Sequence, residues 1–238
     1  MIWNLGYHLG GAPDRLPIPP VQFVRDVIIT GELAWFFRSG LICRQCIQYA
    51  LLKNGYRIEN FDSVLDFGCG CGRVLRWWKD LDRVSLSGAD RNPELIRWCQ
   101  KNLSSLAEFT INPSEPPTSY IDNSFDFIYA ISVFTHLCEP DQQLWMQELW
   151  RLLRPHGVLL VSLHGVSSLG ALTPAEQGQF RNGQLVIRNE SASGGNDCGA
   201  YHPPEYVFNC MVGNFEILDY LPQGSRDMDQ DFYLLAKH

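Results

Sequence analysis

Asp66-Phe67-Gly68-Cys69-Gly70-Cys71-Gly72-Arg73 is the stretch of this 238-residue sequence whose residue types and spacing carry chemistry. The apolar residues Val64 and Leu65 before it read as a strand, and Arg73 to Lys79 after it as a helix. Glycines let the backbone turn sharply and let a ligand approach with no Cβ in the way. The following helix offers unpaired N–H groups and a positive dipole end. Glycines 68, 70 and 72 spell G-x-G-x-G, not the G-x-G-x-x-G of dinucleotide sites. Asp66 would repel a pyrophosphate and attract a cationic amine. The spacing therefore turns away from nicotinamide dinucleotides and towards a positively charged nucleoside.

Asp90 closes the next strand, Val84 to Ala89. A carboxylate at that place can accept hydrogen bonds from both hydroxyls of a ribose. It can equally cap the helix that starts near Pro93. Beside the glycine loop, the ribose reading is the stronger. The chain also holds 8 cysteines, including a C-x-x-C at Cys43 and Cys46 and a C-x-C at Cys69 and Cys71. Four thiolates can bind zinc. Here one pair falls in a helical pattern and the other in the glycine loop, so reduced thiols and no metal are expected.

The elements that must position these residues alternate. Strand patterns at Ser63 to Phe67, Val84 to Ala89, Ala107 to Ile111, Phe125 to Ile131 and Val158 to Leu163 are interleaved with helical ones at Pro93 to Leu103 and Gln142 to Leu153. That order argues for parallel βαβ units and a doubly wound α/β sheet. Phe215 to Tyr220 and Asp231 to Ala236 follow each other with only Pro222-Gln223-Gly224 between, which implies an antiparallel pair at the sheet edge. Residues 1–20 read as an irregular arm. Val21 to Gly40 shows mixed helical spacing punctuated by Gly31 and Gly40, and Ile42 to Lys53 is a second helix. Residues 1–55 form an N-terminal helical arm and cap, and 56–238 the main domain. Residues 166–204, rich in Ser, Gly, Ala and Asn, read as a flexible, lid-like insertion.

Composition narrows the function. With 45% hydrophobic residues the chain can bury a sizeable core, and a net charge of −7 does not suit a nucleic-acid binder. No apolar run nears the ~18 residues of a membrane span. The N-terminus has neither a basic lead nor a long apolar stretch, so no signal peptide is read and a cytoplasmic location is expected.

Taken together, these residues resemble class I S-adenosylmethionine-dependent methyltransferases. Asp66 to Gly72 is similar to the first motif of that family and Asp90 to its second-strand acid. Phe125 to Ala130 resembles its fourth strand and Ser132 to Leu137 the segment after it. Glu148 to Val158 resembles its helix, turn and fifth strand, and Gln230 to Lys237 its reversed last strand. The resemblance implies a seven-stranded, mostly parallel Rossmann-like sheet with an antiparallel C-terminal edge, and S-adenosyl-L-methionine as cofactor. It implies that Asp66 and the backbone of Gly68, Cys69 and Gly70 hold the methionine end, and that Asp90 binds the ribose with Arg91 beside the adenine. Asn112 would bond the adenine amine, and Ala130 and Ile131 would offer backbone groups to the methionine amine.

Transfer of a methyl group from a sulfonium is an in-line displacement, served mainly by holding the partners at near-attack distance. A hydroxyl or ammonium acceptor also needs a general base, most often His. His164 and His202 are the preferred candidates, followed by His136. The expected enzyme is a methyltransferase acting by O- or N-methylation on a small organic acceptor, with no nucleic-acid or membrane partner. The alternatives are a non-catalytic S-adenosylmethionine-binding protein and a nicotinamide-dependent oxidoreductase.

Overall fold

Alternation along the strands decides how the sheet is covered. In β1 (Ser63–Phe67), Val64 faces one way and Leu65 and Phe67 the other, as successive Cβ atoms must. The structure is a computed structural model that describes residues 4–238; Met1 to Trp3 of the expected arm lie outside the described residues. Before β1 come α1 (Leu5–Gly10), α2 (Val21–Ile28) and α3 (Leu33–Lys53). After it come β2 (Ser85–Asp90), α4 (Pro93–Asn102), β3 (Glu108–Ile111), β4 (Phe125–Ala130), α5 (Glu139–Leu152) and β5 (Leu153–Leu163). The remainder holds α6 (Pro174–Arg181), β6 (Val186–Arg188), β7 (Gly199–Tyr201), β8 (Glu216–Ser225) and β9 (Gln230–Ala236).

Seven strands form one sheet in the order β3-β2-β1-β4-β5-β9-β8. The first five are parallel, while β9 runs antiparallel to β5 and β8 antiparallel to β9. This is the doubly wound architecture with an antiparallel edge. Val158, Leu160, Phe232 and Leu234 pack on α3, and Leu159, Val161, Tyr233 and Leu235 on α5 and the turns at 206–215. Central strands apolar on both faces are what two covering layers require. Among the described residues no helix is long and apolar enough to cross a membrane.

Several local expectations change. Gly40 does not punctuate: α3 is one helix of 21 residues. A Cβ at Gly40 would stand 2.0 Å from the Arg73 carbonyl oxygen, so glycine there serves close packing of α3 against the glycine loop. Arg73 to Lys79 is not a full helix but a 3-10 turn at Leu75–Trp78. It is anchored by ion pairs of Arg73 with Asp227 and of Arg76 with Asp14, and α3 covers the adjoining face of the sheet. Pro222-Gln223-Gly224 does not separate the last strands; β8 runs on to Ser225 with an irregular register.

Residues 166–204 are more than a loop. They hold α6, with a Thr173–Glu176 capping box, and the β6–β7 ribbon. Leu172, Phe180 and Val186 form a small core of their own. Composition misleads here because few apolar residues suffice for so small a core.

Candidate active site

A cavity of about 590 Å³ opens at the carboxyl ends of β1, β2 and β4, where open α/β sheets take their ligands. Its floor is the glycine loop. Gly68, Gly70 and Gly72 have φ of 84°, 56° and 80°, a region that side-chain-bearing residues rarely enter. The N–H groups of Gly68 and Cys69 both donate to the Ala89 carbonyl, at 2.7 and 3.0 Å, which ties the loop to the end of β2. A Cβ on Gly68 would stand 2.3 Å from Val133 Cγ2, and one on Gly70 2.7 Å from Val27 Cγ2.

Asp90 does not cap α4. Asn92 does, its Oδ1 accepting from the Glu94 N–H at 3.0 Å. The Asp90 carboxylate instead takes the Gly70 N–H on Oδ2 at 2.9 Å and the Asn92 N–H on Oδ1 at 2.8 Å. Burial pushes this carboxyl above the usual range, and those two backbone donors pull it back.

Asp66 is 3% exposed and lines the cavity. Burial pushes its carboxyl up to about 7, against the opposing pull of the Tyr129 hydroxyl and the Arg73 guanidinium. Trp78 Nε1 donates to that hydroxyl at 3.1 Å. Asp66 Oδ2 has no partner among the described residues, and neither has Oδ1 of the buried Asn112. Unmet acceptors lining a cavity ask for donors on a ligand.

The other sequence-derived positions divide. Cys69 and Ile131 line the cavity, as does Arg91 at its exposed rim. Ala130 is buried and is not among the lining residues. Of the three candidate histidines, only His136 lines the cavity. Its Nδ1 lies 2.8 Å from the Cys198 carbonyl oxygen. Nδ1 therefore carries a proton and donates to that carbonyl.

His164 and His202, preferred from sequence, lie outside the cavity lining. His164 stacks on Tyr201 at 5.0 Å, and burial lowers it to about 4. His202 is fully buried, its Nε2 3.1 Å from Gln142 Oε1, and burial lowers it to about 3. It sits in the loop just after β7 but is not a surface histidine. The β6–β7 ribbon carries it inward, which strand order in a sequence does not reveal.

Sequence reasoning missed several lining groups, among them Asp26, Arg73, Ser132, Asp141 and Met228. It also did not place Ser193–Asn196, although the Ser/Gly composition marked that segment. This stretch crosses the cavity as a strap. The Gly194 N–H donates to the His136 carbonyl at 2.6 Å, and Asn196 Nδ2 donates to the Asp26 carbonyl at 3.0 Å. The Ser193 hydroxyl donates to Asp141 and accepts the Cys138 N–H at 2.9 Å.

Residues 65–161 match the family described as "Methyltransferase domain". The chain is similar to the methyltransferase GfsG of Streptomyces halstedii, 33% identical over 105 residues that cover 42% of this chain and 37% of that one. It is also similar to the malonyl-[acyl-carrier protein] O-methyltransferase of Enterobacter lignolyticus, 27% identical over 49% of this chain and 45% of that one. Other matching relatives are named as sterol 24-C- and thiol S-methyltransferases. The chain spans less than half the length of the curated relatives it matches. Among solved structures, a methyltransferase of Methanosarcina mazei shares the fold, with TM-score 0.57, 20% identity, and coverage of 78% of this chain and 96% of that one. Motif, sheet order and family match point the same way: residues 65–161 match the methyltransferase-domain family, on a fold shared with a methyltransferase of Methanosarcina mazei.

Proposed function

We propose that the protein transfers a methyl group from S-adenosyl-L-methionine to a small organic acceptor held in the cavity between the glycine loop, α2 and the 193–196 strap. The observation that carries this reading is the pairing of a glycine cradle with unmet buried acceptors. The loop's glycines let Val133 and Val27 close on its backbone beside the cavity, and Asp66 Oδ2 and Asn112 Oδ1 both lack donors. An adenosine with a cationic amino-acid tail supplies what they lack. Its amine meets Asp66, its ribose hydroxyls meet Asp90, and its adenine amine meets Asn112. Arg91 flanks the base, and the backbone of Gly68, Cys69, Gly70 and Ile131 lines the tail. Ala130 supports Ile131 from the strand below.

When bound, the cofactor supplies an electrophilic methyl on sulfur, with a neutral leaving group. The protein's task is then to align and to exclude water. Val27 and Val133 close on the glycine loop from opposite elements, and the strap covers the mouth. If the acceptor is a hydroxyl or an amine, His136, the candidate histidine that lines the cavity, would take its proton through Nε2. The acceptor atom is proposed as O or N. Matching relatives are named for C- and S-methylation as well, so similarity to them does not select the atom.

Two measurements test the reading together. Calorimetry with S-adenosylhomocysteine should give micromolar binding. Incubation with radiolabelled S-adenosylmethionine and a panel of phenols, carboxylic acids and amines should label at least one acceptor. Binding without labelling of any compound would leave a cofactor-binding protein that is not a catalyst.

A further inference from the structure

Along the sheet, the side chains given to the cofactor stop at β1. Asn112 follows β3, Asp90 ends β2, and Asp66 lies in β1 just before the glycine loop. The sheet continues through β4, β5 and β9, and on that side the cavity is lined by Ser132 and His136 after β4 and by Met228 ahead of β9. Ser132 has a φ of 59°, in the left-handed region that side-chain-bearing residues rarely enter. Its N–H is fixed by donation to the Ser162 hydroxyl of β5 at 2.7 Å. A strained backbone in a cavity wall raises the question of what its side chain does there.

Behind Ser132 stands a chain of buried polar groups. The Gln230 side chain, 1% exposed at the start of β9, donates from Nε2 to Ser132 Oγ at 2.9 Å. Its Oε1 accepts from the Ser162 hydroxyl at 2.7 Å, which sets the orientation of the amide. The second Nε2 proton faces His164 Nε2 at 3.4 Å, on a ring that burial keeps neutral at pH 7 and able to accept. Every polar atom of the amide is thereby used. Ser132 Oγ receives a proton from Gln230, and Thr135 Oγ1, fully buried 3.3 Å away, can give it a second. The proton of the Ser132 hydroxyl itself is then left for the cavity, as a donor of fixed direction.

We propose that Ser132 selects the acceptor: its hydroxyl donates to an oxygen that the acceptor carries beside the atom to be methylated, and Gln230 is the positioning residue that turns the hydroxyl that way. The assignment rests on the methyltransferase reading and adds a substrate class to it. One turn of chain joins Ser132 to His136, whose N–H donates to the Val133 carbonyl at 3.0 Å, so both side chains face one small molecule. His136 serves the atom that gains the methyl group, and Ser132 serves its oxygen neighbour. Hydroxyl and carbonyl oxygens both accept such a bond, whereas an acceptor with neither leaves the donor unpaired.

The test uses the full chain saturated with S-adenosylhomocysteine, and calorimetry with phenol, catechol and salicylamide as probes. Beside the phenol oxygen, catechol adds a hydroxyl oxygen and salicylamide a carbonyl oxygen. The unmodified protein should bind at least one of these two roughly threefold to tenfold more tightly than phenol, the range of one neutral hydrogen bond. Ser132→Gly removes the donor and suits the left-handed backbone, so the variant should stay folded in thermal unfolding while the preference vanishes. Gln230→Met keeps the bulk of the side chain but frees the hydroxyl to rotate. Phenol affinity should hold in that variant while the preference shrinks, whereas a merely structural role would weaken all three probes alike. Equal binding of the three probes by the unmodified protein, failure of all three to bind, or a preference that survives in Ser132→Gly overturns the proposal, as does uniform weakening in Gln230→Met. Failure of S-adenosylhomocysteine itself to bind overturns the methyltransferase reading instead, so the two failures are distinguishable.

Discussion

The backbone N–H of Gly70 donates to Oδ2 of Asp90 at 2.9 Å, so the residue that should hold the ribose also holds the loop that should cradle the tail. Both functions fail together when the carboxylate is removed. Asp90→Ala is expected to weaken S-adenosylhomocysteine roughly tenfold or more by calorimetry. Asp90→Asn keeps one acceptor for Gly70 and should lose less. Equal affinity of Asp90→Ala and the unmodified protein would separate this residue from the ligand.

Asp66 gives a pH dependence with a definite sign. Burial moves its carboxyl from 3.8 to about 7. A cationic ligand needs the ionised form, so affinity for S-adenosylhomocysteine should rise by up to about tenfold per pH unit below 7 and level off above it. Stability of the ligand-free protein runs the other way. Between 3.8 and about 7 the unfolded chain has lost this proton while the folded chain keeps it, so this group lowers stability as pH rises through that window. Asp66→Asn should therefore stabilise the ligand-free protein at pH 8 by roughly 1–3 kcal/mol in urea unfolding while weakening the cofactor. Loss of stability in that variant contradicts the assignment.

The histidines separate by reach. With an oxygen or nitrogen acceptor, His136→Gln should lower kcat by roughly 10²–10⁴ while S-adenosylhomocysteine affinity stays within a few-fold. His202→Gln should instead show its effect in thermal unfolding, because its ring is buried against Gln142. A kcat loss confined to His164 or His202 variants would reassign the base.

Much of this site was legible in the sequence because its parts are local. The strand, the three glycines and the acid that ends the next strand lie within a short stretch, and each residue type has a local reason to be there. Gly40 and the histidines show where such reading stops. The reason for glycine at 40 is a carbonyl 33 residues further along the chain, and a glycine inside a helical pattern otherwise reads as a break. The order of strands places His136 and His164 near the carboxyl edge but does not say which way the rings turn; only His136 lines the cavity, while His164 stacks on Tyr201 of β7. Arg73 escaped notice because a lone arginine after a glycine loop carries no signal of its burial, which Asp227 imposes from 154 residues away.

Gly40 supplies its own prediction. Gly40→Val places carbon against the Arg73 carbonyl and Trp77 Nε1, so α3 or the glycine loop must shift. A cost of roughly 1–3 kcal/mol in denaturant unfolding is expected, together with weakened cofactor binding. Unchanged stability and binding would mean the contact is slack.

The strap is tested at Gly194, where φ is +80° and a Cβ would stand 1.8 Å from Arg91 Nη1. Gly194→Val should displace the strap and speed release of S-adenosylhomocysteine in stopped-flow measurements, with little effect on thermal unfolding of the ligand-free protein. An unchanged release rate would show that the strap does not retain the cofactor.

Titration calorimetry of S-adenosylhomocysteine into the intact chain near pH 7.5 bears most directly on the role given to the glycine loop. Saturable, one-to-one binding with micromolar affinity, reduced by Asp90→Ala, is the predicted result. The absence of any heat of binding or thermal protection, from this ligand and from S-adenosylmethionine alike, would contradict it.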